Sequence, residues 1–255
     1  MKSNFLTLRT VLAASLIMGS AVFAPVVSAQ GWGNLTGQMV LEGDIPPIEK
    51  TTNMKEPVCS KEIPSDELLV DKESKGIADI FVFIPATKKP MVHPDLKASK
   101  QKEVVLDQKD CHFIPHALVC RTDQTLLVKS MDDCNHNTRT APIKNNPVNF
   151  TVSPKNRDGL PWKVNVAENL PTQIKCDIHP WMSAYCLVID HPYAVVTGKD
   201  GKFEIQNLPA GELEFRYWHS KVGYIERSVL IKIKNGATTD LGQIKVPVTK
   251  FTAAK

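Results

Sequence analysis

An all-β protein is what this chain predicts, and three features predict it. Short runs rich in Val, Ile, Leu and Phe recur along the whole length. Clusters of Gly, Pro, Asn and Asp separate them, which is the spacing of a sandwich or barrel. No segment sustains the 3.6-residue apolar period of an amphipathic helix, although Lys50 to Ser60 or Pro94 to Lys102 has room for a short helical turn.

The N-terminus comes first. Lys2 and Arg9 precede an apolar run from Val11 to Val27, and Val27-Ser28-Ala29 ends it with the small residues a signal peptidase reads. Residues 1–29 are therefore expected to be a signal peptide cleaved after Ala29. Gly19 and Pro25 interrupt the run and it holds no cysteine to be lipidated, which favours cleavage over a permanent anchor. No later run approaches the roughly 18 apolar residues of a membrane span. The expected location is periplasmic or secreted, without a transmembrane anchor. Loss of Lys2 and Arg9 lowers the formal net charge from +4 to +2, too little to suggest nucleic acid. The remaining 226 or so residues suit one large or two small domains, and two are preferred.

Strands are then expected in order. Leu35 to Leu41 ends at Gly43-Asp44, and Ile77 to Ile84 lies between Gly76 and Pro85. Glu103 to Leu106, Ala117 to Cys120 and Thr125 to Ser130 follow, broken by Asp110, Pro115 and Asp123. Val148 to Val152, Trp162 to Val166, Thr172 to Cys176 and Tyr185 to Asp190 are bounded by Pro147, Pro161, Pro171 and Pro192. Lys202 to Ile205, Glu212 to Trp218, Ser228 to Lys234 and Asp240 to Val246 complete the set. Lys199-Asp200-Gly201-Lys202 reads as a tight hairpin, and Leu208-Pro209-Ala210-Gly211 as a second turn. Together they make a small antiparallel unit.

That unit, from Thr197 through Phe203, Ile205 and Leu208-Pro209-Ala210-Gly211 to Phe215, resembles the second half of carboxypeptidase-regulatory-like domains, which are transthyretin-like sandwiches. Gly37 to Val40 and Ala78 to Val82 match the first half of that pattern. The resemblance implies a discontinuous sandwich from residues 34–86 and 191–248, with another domain over 87–190 inserted in it or packed beside it, and a frayed tail over 249–255.

The chemistry sits in Cys176-Asp-Ile-His179-Pro-Trp-Met182. A thiolate, an imidazole and a thioether within seven residues are ligand types for which zinc has little use, but a His2Cys site with a weak axial Met suits blue copper. The second histidine is expected from Asn135-His136-Asn137, in a polar loop. Pro180 stiffens the tight loop that lets the three donors face one point. A c-type haem would need Cys-x-x-Cys-His, and zinc knuckles would need paired Cys-x2-Cys; neither motif is present. Four filled positions argue against a catalytic metal with an open site, so no enzyme is expected.

From about Glu103 to Asp190 the chain resembles the cupredoxin family, and its 176–182 loop is most similar to the amicyanin-like branch, with Phe113-Ile-Pro115, Ala117 to Val119, Gln124 to Val128 and His136-Asn137 in the family's order. The resemblance implies a Greek-key β-sandwich with one type 1 copper ion held by His136, Cys176, His179 and Met182. It implies that Asn137 ties the histidine loop to the cysteine loop, and that the His179 edge is exposed in an apolar patch beside Pro180 and Trp181.

Six cysteines occur, at 59, 111, 120, 134, 176 and 186. With Cys176 as a ligand, at most two bridges form among the rest, and the preferred pairing is Cys59 with Cys111 and Cys120 with Cys186, leaving Cys134. His112 and His116 are read as structural or exposed, away from the metal end, and His191 and His219 as ordinary histidines. Residues 137–175 carry Arg139, Lys144, Lys155, Arg157, Lys163 and Lys175 against Asp158 and Glu168. Such a basic rim would steer an acidic exported redox partner, such as a c-type cytochrome or a periplasmic dehydrogenase. The leading expectation is a blue-copper carrier of single electrons. Its rivals are a periplasmic copper-binding or storage protein, which the scattered methionines disfavour, and a non-redox cell-wall-associated β-sandwich module.

Overall fold

A computed structural model describes residues 31–52 and 57–252; the expected signal peptide and the end of the expected tail lie outside the described residues. Among the described residues the chain forms eighteen strands and one short α-helix. Alternation builds the first of them. In β1 (Trp32–Glu42) Leu35 and Met39 point inward while Thr36 and Gln38 are half-buried. The strands β2 (Lys50–Thr52) and β3 (Glu62–Pro64) pair with each other; of the stretch Lys50 to Ser60 expected to hold a helical turn, residues 50–52 are strand and 57–59 turn and bend, and residues 53–56 lie outside the described residues. β4 (Phe81–Phe83) is shorter than the run from Ile77 suggests, because Asp79 adopts φ of +62° and breaks the extended backbone. At Pro94–Leu96 a single 3-10 turn forms.

The middle of the chain supplies β5 (Glu103–Lys109), β6 (His112–Ile114), β7 (Ala117–Arg121), β8 (Thr125–Val128), β9 (His136–Thr140), β10 (Asn149–Val152), β11 (Leu160–Lys163), β12 (Thr172–Lys175) and β13 (Ser183–Ile189). They form two sheets, ordered β10-β9-β12-β13-β7 and β11-β8-β5-β6. Between the sheets lie Leu106, Phe113, Leu126, Val128, Trp162, Ile174 and Val188.

The last third gives β14 (Ala194–Val196), β15 (Lys202–Pro209), β16 (Gly211–His219), β17 (Gly223–Ile233) and β18 (Thr238–Pro247). With β1 and β4 they make sheets ordered β15-β1-β18 and β14-β4-β16-β17 around Leu35, Met39, Val82, Tyr193, Phe203, Ile205 and Phe215. The turns at 199–202 and 208–211 do not close hairpins. β15 leaves the first turn to pair with β1, and β16 leaves the second to pair with β17, so both turns are corners between sheets. Gly201 suits such a corner, with φ of +77° and Met39 O so close that a Cβ would collide with it.

A third apolar cluster, Phe81, Phe83, Ala117, Leu187, Ile189 and Trp218, joins β4 and β16 to β7 and β13. Two details depart from the sequence reading. Cys59 and Ile63, upstream of residue 86, are buried in the core of the middle sheets. Over Thr249–Thr252 the chain is α1, whose Phe251 is buried, and not a loose tail.

Candidate metal centre

Register places the ligand residues. Lys175 at the end of β12 lies opposite both Ser183 of β13 and Arg139 of β9. The connection 176–182 therefore hangs from the mouth of a hairpin, beside the first residue of β9, His136. Two backbone bonds close it: Met182 N–H donates to His179 O at 2.9 Å and Cys176 N–H to Met182 O at 3.3 Å. His136 and Met182 are fully buried, and Cys176 and His179 nearly so. His136 stands on a strand, not in the loop expected.

His136 Nδ1 and His179 Nδ1 lie 2.9 Å apart, and Cys176 Sγ is 3.7 Å from His179 Nδ1. Ligand atoms of all three residues fall within 4.8 Å of one another. Bonds of about 2.3 Å to sulfur and 2.0 Å to nitrogen, opened to 120°, separate the two atoms by about 3.7 Å, which matches the cysteine and His179. The His136 imidazole at the start of β9, with the imidazole, thiol and buried thioether of the 176–182 connection, is a soft to borderline donor set that fits copper. The residues present fit the metal their pattern implies.

The surrounding groups fix these rings. Asp132 Oδ2 is 2.9 Å from His136 Nε2; a carboxylate only accepts there, so Nε2 carries the proton and Nδ1 presents a lone pair. The same carboxylate accepts Asp110 N–H at 2.7 Å and Cys111 N–H at 2.9 Å. Asn137 N–H points at Cys176 Sγ at 3.4 Å, the Asn137 amide donates to Asp177 at 3.0 Å and to Asn149 at 2.8 Å, and its oxygen accepts Asp177 N–H. Asn137 thus bonds directly to the cysteine loop.

A lid covers the histidine edge. Cys59 is disulfide-bonded to Cys111, and Cys59 Sγ lies 3.8 Å from His179 Nε2. The Trp181 ring leans on His179 at 5.2 Å between centroids, and its Nε1–H donates to Cys111 O at 3.1 Å. His179 is 1% exposed, so the expected bare imidazole edge is overturned; Asp177, Ile178 and Pro180 are the exposed residues of the loop and Trp181 is half-buried. The segment around Cys111 and His112, expected far from the metal end, lies against it.

Cys120 and Cys186 are not bridged. Parallel pairing of β13 with β7 sets Cys186 opposite Leu118 and Cys120 opposite Val188, so the cysteines are diagonal and not directly opposed neighbours, and their thiols meet by hydrogen bonding instead of a bridge. Hydrogen bonding to Cys120 and burial push the Cys186 thiol well up. Cys134 Sγ lies 3.5 Å from His136 Nε2, at the opposite edge from Cys176.

Half of the basic rim is ion-paired. Arg139 pairs with Asp177 at 2.9 Å, Lys155 with Asp133 at 2.6 Å and Arg157 with Asp107 at 2.8 Å. His116 is a buried strut, its Nδ1 3.0 Å from Ser183 O and its Nε2 3.1 Å from Ser220 Oγ. Residues that sequence reasoning missed at the centre are Asp132, Cys59 and Cys111. Asp132 has no motif to betray it, and the two cysteines are drawn in by a contact spanning 52 residues.

No protein-family model and no curated protein matches the chain. Among solved structures it is similar to a Cu-containing nitrite reductase from Thermus scotoductus SA-01, at 16% identity and TM-score 0.32, over 42% of this chain and 27% of that one. It is similar to a purple cupredoxin from Nitrosopumilus maritimus at 13% identity and TM-score 0.28, over 34% of this chain and 99% of that one. To an oxidized point mutant of amicyanin it is similar at 13% identity and TM-score 0.30, over 42% of this chain and 97% of that one. The chain therefore spans about a quarter of the nitrite reductase and nearly the whole length of the two small cupredoxins.

Proposed function

We propose that the protein is an exported copper protein of type 1 character that passes single electrons between redox partners. The observation that carries this reading is the convergence of ligand atoms of His136, at the start of β9, with those of Cys176 and His179 within 4.8 Å of one another, the last two on a connection that also buries Met182. Copper bound there would supply a one-electron couple whose two oxidation states the same ligands accept. The protein's part is to hold those ligands still. Asp132 orients His136, Asn137 ties the cysteine loop to β9, and the backbone bonds of 176–182 fix His179 and Met182. Burial of all four residues excludes water from the centre.

Electrons would leave through the edge formed by Ile178, Pro180 and Trp181, since the His179 edge lies under the lid. The partner is an exported redox protein, such as a c-type cytochrome, docking through a small transient contact. Because three of the rim cations are already paired, that docking should respond weakly to salt. The sheets built from β1, β4 and β14 to β18 are read as the transthyretin-like module beside the copper region. Protein-film voltammetry of the copper-loaded mature chain tests the reading: a reversible one-electron wave absent from Cys176→Ser supports it, and an irreversible wave, or one that the substitution leaves alone, contradicts it.

A further inference from the structure

A second set of soft donors lies on the far edges of the same two imidazoles. Cys59 Sγ is 3.8 Å from His179 Nε2, and Cys134 Sγ is 3.5 Å from His136 Nε2. Cys59, Cys134 and a ring nitrogen of His179 lie within 4.8 Å of one another, and so do Cys111, Asp132, Cys134 and His136. All six residues are buried. Three sulfurs thus meet at one place, two joined in the Cys59–Cys111 disulfide and the third a thiol.

A disulfide sulfur is a poor ligand, whereas thiolates select Cu(I). We propose that reduction of the Cys59–Cys111 bond opens a second metal site, for one Cu(I) ion, formed by Cys59 Sγ, Cys134 Sγ and His179 Nε2. The reductant is a dithiol: it gives two electrons and two protons, the Cys59–Cys111 bond breaks into two thiols, and the dithiol becomes a disulfide. Cu(I) then displaces the protons of Cys59 and Cys134 to solvent and makes two Cu–S bonds and one Cu–N bond. Trigonal bonds of about 2.3 and 2.0 Å require sulfur and nitrogen about 3.7 Å apart. Cys59 and His179 already stand at 3.8 Å. Two thiolates and one neutral imidazole leave a single net negative charge on the loaded site. In the oxidised chain Cys59 Sγ belongs to the lid over His179, so the redox state of one bond selects between cover and ligand. The site uses the nitrogen of His179 opposite to the one in the electron-carrier reading, and does not depend on Cys176.

The test is an anaerobic Cu(I) titration of the mature Cys176→Ser chain against a chromophoric Cu(I) chelator, before and after reduction by a phosphine that is then removed. Reduction should create one site at least about 100-fold tighter than anything in the oxidised chain, with near-ultraviolet thiolate-to-copper absorption, and adding Cys134→Ser should abolish it. Cys120 and Cys186 remain in every variant and control for their own thiols. Equal affinity in the two redox states, tight binding that survives Cys134→Ser, or loss of cooperative unfolding on reduction would each overturn the proposal. Separately, oxidised wild-type chain without a Cys176-dependent blue band would sink the electron-carrier reading and leave this site standing.

Discussion

Asp132→Asn isolates the group that supports the candidate centre from behind. The carboxylate accepts Asp110 N–H at 2.7 Å, Cys111 N–H at 2.9 Å and His136 Nε2–H at 2.9 Å, and is 8% exposed. Each bond to a charged acceptor is worth about 1.5–3 kcal/mol. Asparagine keeps one acceptor oxygen and turns an NH2 toward the remaining donors, so about half of that support is lost. We predict a destabilisation of about 2–4 kcal/mol, which lowers the urea midpoint by roughly 1–2 M at an m-value near 2 kcal/mol/M. Losing the group that orients a ligating histidine weakens metal binding by about 10–100-fold. Urea unfolding of the copper-free chain and a chelator competition on the loaded one read these two effects separately. Coincident unfolding curves together with unchanged copper affinity would refute the role assigned to Asp132.

The disulfide closes a loop of 52 residues, which on chain-entropy grounds stabilises the fold by about 4 kcal/mol, so Cys59→Ser/Cys111→Ser should unfold at correspondingly lower urea; an unchanged midpoint would contradict this. Asn137→Ala removes bonds to Asp177 and Asn149, and should cost about 1–3 kcal/mol and broaden the copper spectrum by loosening the cysteine loop, as calorimetry and EPR would record. Acid should destabilise the chain between pH 6.5 and 4. Burial lowers the His191 pKa to about 4 and the His219 pKa to about 3, so both stay neutral when folded while the unfolded chain takes up protons below its own pKa. Stability from these two groups is therefore present above about pH 6.5 and lost as pH falls, by roughly 3 kcal/mol for each histidine at pH 4, and is offset in part by Asp79, whose carboxyl burial raises to about 6 and which gives back roughly 2 kcal/mol over the same window. Equilibrium unfolding at pH 7, 5 and 4 checks it, and a flat profile would count against it.

The grouping of the candidate ligands was legible because three of them fall within seven positions, where a tight loop brings their side chains together. The all-β class was legible from short runs rich in Val, Ile, Leu and Phe set between turn residues, as at β13. β9 was not, since His136-Asn137-Thr138-Arg139-Thr140 is a mostly buried strand of polar residues. Its polar atoms are satisfied by distant partners: the Gln108 amide donates to Thr138 Oγ1 at 2.8 Å, and Thr140 Oγ1 accepts Val148 N–H at 2.9 Å. Such partners cannot be read from hydropathy. The lid was hidden for a related reason, since Cys59 and His179 are 120 residues apart. The unbridged Cys120 and Cys186 turn on the register of two parallel strands, which composition does not encode.

The most direct measurement is the visible absorption and EPR spectrum of the mature chain, residues 30–255, loaded with Cu(II), beside Cys176→Ser. An intense blue thiolate-to-copper band with narrow hyperfine splitting, lost in the variant, is the result predicted for His136, Cys176, His179 and Met182 around one ion. A pale, ordinary copper spectrum indifferent to Cys176 would contradict the account.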